Sequence, residues 1–201
     1  MRMQSTIRAS ILAAGSVFAL GSAAVFADDH GDAHHYALDT VHSKIFFFAD
    51  HLGFSKSGGE FRDFDGSFHF DADDWSTARV EITVESASLD MGDQAWNDHM
   101  HNEDFFHVEE FPQAHFVGDR LEQTGDNTGQ LHGALTLLGQ THPVVLDVTL
   151  NGVGEHPMND NIIAGFSATA NITRSQWGMD YGVPAIGDDV ELRFEIEGVR
   201  Q

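Results

Sequence analysis

Cysteine is absent from all 201 residues, so the chain can form no disulfide, thiol nucleophile or thiolate metal site. A lipidated N-terminus, which needs a cysteine, is excluded with it. Basic residues are scarce, with ten Lys and Arg against 32 Asp and Glu. Such a surface repels phosphate backbones and anionic headgroups, which argues against nucleic-acid binding. Tyr and Trp number only two and three, whereas Phe reaches 16. The aromatic surface is therefore mostly of the kind without a polar handle. Catalytic signatures are missing too: there is no GxSxG, HExxH or GxGxxG, and nothing in the spacing of Ser, His and Asp suggests an enzyme.

The N-terminal stretch reads as a targeting segment. Arg2 and Arg8 precede an apolar run from Ile11 to Leu20, and small residues lead to Ala27 before the chain turns acidic at Asp28. That order is the pattern of a cleaved secretory signal over residues 1–27. The apolar run is shorter than the roughly 20 residues that span a bilayer, so stable membrane insertion is not expected. The mature protein is placed in a bacterial periplasm or outside the cell. Without Arg2 and Arg8, eight basic residues face 32 acidic ones, a net charge of −24.

Residues 28–35, DDHGDAHH, form a polar leader expected to be flexible. Cleavage after Ala27 would put His30 third from a free amine. Asp28, Asp29 and His30 would then supply a square-planar nitrogen set suited to Cu(II) or Ni(II). A metal-handling or stress-protective protein, using that site and surface histidines, is the competing functional reading.

From Tyr36 onward, apolar and polar residues alternate at period two. Strands are expected at 36–52, 64–71, 79–85, 113–122, 131–137, 144–150, 162–172 and 190–196. Tight turns are expected at TGDNTG (124–129) and GQTH (139–142), with a loop over 152–160. Eight strands without βαβ spacing predict an all-β, eight-stranded antiparallel lipocalin-like barrel over 36–201, with a two-sheet sandwich as the alternative. Ala164, Ala168, Ala170 and Gly133 fall on the inward face. Small residues there leave space that suits only an apolar guest, unless the Phe side chains fill it.

One stretch breaks the alternation: WNDHMHNEDFFHVEEFPQAHF, residues 96–116. Its helix formers and its cluster of Phe105, Phe106, Phe111 and Phe116 predict a short helical lid. His99, Glu103 and His107 are spaced i, i+4, i+8, a zinc-capable stripe on a continuous helix, although Asn102 and the Phe pair argue for a shorter one. Trp177, between glycines in SQWGMDYG, is either a rim aromatic or a packing residue. Asp39, His42 and Ser43 either ring a pocket end or satisfy backbone groups.

Four ordered segments, YALDTVHSKIFF (36–47), DHMHNEDFFHVEEFPQAHF (98–116), GALTLLGQTHPVVLDV (133–148) and ITRSQWGMDYGVP (172–184), resemble the YceI-like family. The resemblance implies a soluble periplasmic barrel whose long pocket holds a polyisoprenoid, such as a quinone with its tail, and no cofactor chemistry. The chain departs from the family at Trp96-Asn97, where Arg-Asp is usual, and at Thr173, Gln176 and Trp177 in place of Asn, Asp and Phe. On this reading the isoprenoid pocket is formed by Phe47, Phe64, Phe68, Ile82, Val84, His99, Met100, Phe105, Phe106, Phe111, Phe116, Leu135, Leu137, Leu146, Phe166, Ala168, Trp177 and Phe194. His99 is a candidate donor to a ligand carbonyl. The resemblance implies the lipid as partner. A third functional reading is a structural partner for a membrane electron-transfer protein, delivering or receiving quinone, and a second copy of the chain, as a homodimer, is a further candidate partner.

Overall fold

In the computed structural model, which describes residues 33–201, one sheet closes on itself. β1 (His34–Leu38) and β2 (Lys44–His51) are followed by β3 (Ser55–Phe61), β4 (Phe64–Phe70), β5 (Arg79–Glu85) and the short β6 (Leu89–Asp90). A helix, α1 (Gln94–His101), precedes β7 (Gln113–Gln123), β8 (Thr128–Leu137), β9 (Gln140–Glu155), β10 (Ile162–Thr173) and β11 (Ile186–Arg200). The antiparallel ring runs β1-β4-β5-β7-β8-β9-β10-β11 and back to β1. That is an eight-stranded closed barrel. The signal segment 1–27 and the Asp28-Asp29-His30 site lie outside the described residues. β1 begins at His34, so the last two residues of the expected leader are strand.

The expected strand 36–52 is two strands, interrupted by a turn at residues 39–43. β11 is long enough to serve both. Its Gly198–Arg200 end pairs with β1, and its Ile186–Glu195 stretch pairs with β2. The turn is tied by backbone: Asp39 N–H donates to the Glu197 carbonyl at 2.8 Å and Ser43 N–H to the Asp39 carbonyl at 3.0 Å. Buried Ser43 adds an Oγ that accepts from Glu197 N–H at 3.0 Å.

β3 was not expected from SKSGGEF, and its glycines explain both its presence and its disguise. A Cβ on Gly58 would lie 2.6 Å from the Phe48 ring, and one on Gly59 2.6 Å from Met91 Sδ and 2.8 Å from Phe47 Cε1. The glycines make room for aromatic rings where β-propensity alone predicts a loop. The GQTH turn shrinks to Leu138-Gly139, both with positive φ (49° and 70°), the two-residue connection whose twist suits a hairpin. Gln140 to His142 belong to β9. That strand also extends to Glu155, leaving a shorter loop than 152–160.

Candidate functional site

Inward-pointing side chains leave a cavity of about 500 Å³ inside the barrel, within the usual range for small-molecule sites. Its floor is aromatic. Phe166 meets Phe68 and Phe70 edge-on at 5.5 and 5.0 Å, and Phe70 stacks edge-on against buried Trp75 at 5.6 Å. The walls are Ile45, Ile82, Val84, Leu135, Leu146, Ala168, Phe194 and their neighbours. Ala168 supplies only a methyl group where flanking strands carry Val148 and Phe194 in register.

Several polar lining groups lie where β2 turns into β3, Asp50, His51, Ser57, Trp96, His99, Arg174 and Tyr181, while Ser86, His115 and, beside the aromatic floor, His69 also line the cavity. At the β2–β3 end the cavity opens, beside exposed Asp50 and Leu52 and the partly exposed Trp96 (38 %) and Tyr181 (43 %).

α1 is only eight residues long. Asp93 caps it, its side chain accepting from Trp96 N–H at 3.1 Å. Beyond His101 the chain coils in turns that deliver Phe105 against His99 and Tyr181, and Phe106 against Phe47 and Phe61. The segment, the expected short helical insert, stands beside β3 with Phe106 against the wall, while Trp96, His99 and Phe105 reach the open end beside His51 and Tyr181. Glu103 and His107 fall outside the helix, so the zinc-capable stripe does not form. His99 Nε2 instead meets Asp104 Oδ2 at 3.2 Å, and His107 faces Glu110 at 3.4 Å. Asn97, at the family departure, holds the preceding loop by accepting from Met91 N–H at 2.7 Å.

Of the expected pocket residues, Phe47, Phe68, Ile82, Val84, His99, Met100, Phe105, Phe106, Phe116, Leu135, Leu137, Leu146, Phe166, Ala168 and Phe194 line the cavity. Three do not. Phe64 is buried in the surrounding core. Phe111 packs on the Leu138-Gly139 turn, where a Gly139 Cβ would lie 2.9 Å from its ring. Trp177, 1 % exposed, donates Nε1–H to the Leu135 carbonyl at 3.1 Å and meets His142 edge-on, so it braces the wall from behind. Ile45, Val144, Ile172 and Val190 also line the cavity, and their alternation made them findable. Arg174 and Tyr181, in an irregular segment, carried no such signal.

Asp39 and His42 lie outside the cavity, on the turn between β1 and β2. Asp39 Oδ1 accepts from the Val41 and His42 backbone at 3.0 and 3.2 Å, and Oδ2 meets His42 Nδ1 at 2.8 Å. Together with Glu197 they place one donor atom each within 4.8 Å of one another, the arrangement best suited to a cation among the described residues. Burial opposes ionisation of Asp39, but the His42 ring and the two backbone N–H groups outweigh it and lower its pKa below 3.8. The hydrogen bond that the His42 ring donates to the Asp39 carboxylate, then the charge of that carboxylate, raise His42 above 6.5. The stabilisation from His42 is present below 6.5 and lost as pH rises through its raised value. That from Asp39 is present above 3.8 and lost as pH falls through its lowered value. The pair is therefore expected to act most fully between those two reference values. In an NMR titration, His42 should titrate above 6.5 and fall back towards it in Asp39→Asn; no change on substitution would remove Asp39 as the cause.

Comparisons place this geometry among known proteins. A UPF0312 protein of Serratia proteamaculans is 35 % identical over 191 residues, covering 94 % of this chain and 95 % of that protein. The crystal structure of Burkholderia cenocepacia BcnA superposes with a TM-score of 0.73 at 25 % identity, covering 80 % of this chain and 98 % of the other. A domain of Saccharophagus degradans described as polyisoprenoid binding has a TM-score of 0.63 at 12 % identity, covering 83 % and 98 %, a likeness of fold alone. The family model described as the YceI-like domain matches residues 36–198, nearly the whole barrel, and the chain belongs to the YceI-like family.

Proposed function

We propose that this protein binds an isoprenoid lipid, a polyprenyl chain or isoprenoid quinone, inside the barrel and sequesters or carries it through the periplasm without catalysing a reaction. The observation that carries this reading is the cavity: a closed barrel around about 500 Å³ of almost wholly apolar lining, with exposed lining residues, Asp50, Leu52, Trp96 and Tyr181, at one end. Such an interior suits a ligand with a long apolar tail. Each buried CH₂ contributes about 0.8 kcal/mol, so the tail alone supplies most of the affinity. The polyisoprenoid-binding description of the S. degradans domain points the same way. The periplasmic setting rests on the secretory pattern of residues 1–27. Among the described residues no helix is long and apolar enough to cross a membrane.

Organic extraction and mass spectrometry of protein purified without detergent tests the reading. One isoprenoid species near equimolar with protein is expected. An empty extract, repeated after quinones and polyprenols are offered, would overturn it.

Phe105 and Phe106 are buried lining residues packed against Tyr181 and Phe61, so a lipid leaving between the helical segment and the open end must pass them. Phe105→Ala combined with Phe106→Ala is expected to speed lipid release at least about tenfold, since two buried aromatic contacts are lost. Stopped-flow transfer to acceptor vesicles measures the rate. Unchanged release would place the exit elsewhere.

A further inference from the structure

The turn between β2 and β3 holds its apolar side chains out of the fold: Phe54 is 89 % exposed and Leu52 50 %. Leu52 and Gly53 both have positive φ, 59° and 73°. Leucine is disfavoured in that left-handed region, which Asn or Gly enters with less strain. Such outliers collect at functional segments. Charged residues make up 21 % of the chain, yet none falls within 52–55 or 181–187. These two stretches touch. Leu52 N–H donates to the Ala185 carbonyl at 3.0 Å, and His51 pairs with Ile186. Tyr181 and Val183 are exposed on the second stretch, and the Trp96 ring lies against His51.

The backbone of both stretches is largely satisfied from within. Gly53 N–H donates to Asp50 Oδ1 at 2.8 Å and Phe54 N–H to the His51 carbonyl at 3.0 Å. Val183 N–H donates to the Asp180 carbonyl at 3.2 Å and Ile186 N–H to the Gly182 carbonyl at 2.8 Å, while Pro184 has no N–H to satisfy. Buried Arg174 clamps the same loop. Its Nε donates to the Gly187 carbonyl at 2.9 Å and Nη1 to Met179 at 2.8 Å, and Nη2 donates to Tyr181 and Ile186 at 2.9 and 3.1 Å. A loop that meets only water can leave such groups to the solvent. One that enters an apolar medium must pair them itself.

We propose that this end of the barrel docks reversibly on a zwitterionic phospholipid bilayer, with Leu52 and Phe54 entering the interface and the open end of the cavity set against the membrane. What crosses there rests on the lipid-binding reading above. Leu52, Phe54, Trp96, Tyr181 and Val183 together expose on the order of 500 Å². That is an interaction surface by size, but it falls short of the roughly 800 Å² per partner that a stable protein interface takes. The purely apolar Phe54 is the most exposed of the three rings, and Trp96 and Tyr181, which carry a polar handle, are the less exposed. Side chains enter a membrane interface in that order. Leu52, Trp96 and Tyr181 also line the cavity, so the patch runs without a break into it. Exposed Asp50 and Asp180 flank the patch, Lys56 is already paired with Glu191 at 3.0 Å, and the mature chain carries a net charge of −24. These charges oppose an anionic surface and favour a neutral one. Val41 and Met158 are exposed as strongly, but they sit on turns at the opposite rim, close in the chain to Asp39, Glu155 and Asp160.

Vesicle flotation tests the surface. Wild type should float with phosphatidylcholine vesicles, and less with vesicles of equal parts phosphatidylcholine and phosphatidylglycerol. Salt should narrow that difference by screening the repulsion. Leu52→Asn combined with Phe54→Ser should lower the partition into phosphatidylcholine at least about tenfold, since two apolar side chains no longer enter the interface. Asn suits the left-handed backbone at position 52, so the melting temperature should hold, and Met158→Ser should float like wild type. Wild type left at the bottom of the gradient, equal flotation of the double variant, or stronger binding to the anionic vesicles would overturn the proposal. So would a wild-type dimer that the double variant splits, since the surface would then serve a second copy. Organic extraction of the same preparation keeps the two readings apart. An isoprenoid in the extract without flotation overturns the docking surface alone, whereas flotation with an empty extract overturns the lipid reading alone.

Discussion

Ala168→Phe is expected to weaken isoprenoid binding about a thousandfold while the melting temperature of the free protein holds or rises. The two effects share one cause. Ala168 lines the cavity between Val148 and Phe194, and a phenyl ring built there occupies space the tail would fill. Displacing one isoprene unit removes about five buried carbons, roughly 4 kcal/mol at about 0.8 kcal/mol each, or about three powers of ten in affinity. In the free protein the same ring gains packing contacts that the methyl group cannot make. Insertion into a filled core would instead cost about 1–3 kcal/mol. Fluorescence titration and a thermal melt on the same sample decide between these. Unchanged affinity would mean that the lipid does not lie in the barrel. A sharp fall in melting temperature would mean that the space beside Ala168 is not available to a guest.

Trp177→Ala should do the reverse, costing about 3–5 kcal/mol of stability, the usual range for removing a buried aromatic. Its ring lies behind the wall, bonded to the Leu135 carbonyl and edge-on to His142, and touches no part of the cavity. Denaturant unfolding measures the loss. Trp177→Phe keeps most of the ring and gives up the hydrogen bond, for about 1 kcal/mol. A rim aromatic would show the opposite profile, with affinity falling and stability nearly intact, and that outcome would return Trp177 to the ligand.

The barrel was readable because alternation at period two survives wherever a strand faces core on one side and water on the other. Val80, Ile82 and Val84, or Val144, Leu146 and Val148, announce their face without any further information. β3 was not readable, since Gly58 and Gly59 are in a strand for what neighbouring rings need rather than for anything they bury themselves. The break between β1 and β2 was hidden for a related reason: Asp39 to Ser43 is tied to Glu197, more than 150 residues away, and no local pattern records that. Within the site, residues on regular strands were found by their spacing. Phe111 and Trp177 were assigned to the pocket because aromatic residues in irregular segments look alike in sequence whether they face a ligand or brace a wall. Arg174 was passed over because a buried cation is recognisable only once the carbonyls around it are in place.

The edge of β3 gives the barrel a direction in which to yield. β3 pairs with β2 along its length, but on its other side only Glu60 and Phe61 find a strand, the two-residue β6. Ser55 to Gly59 therefore lack a strand on that side: Ser55 and Lys56 are exposed, and Gly59 faces Met91. Around the base, every joint of the ring is stitched by backbone hydrogen bonds that must break together. At this seam the ladder is two residues long, and a separation costs that short pairing, the Arg62–Asp90 ion pair at 2.7 Å and side-chain contacts rather than a full strand of hydrogen bonds. The molecule is stiff like a hoop at its base and hinged like a purse at its rim, and amide exchange should grade from slow to fast along that axis.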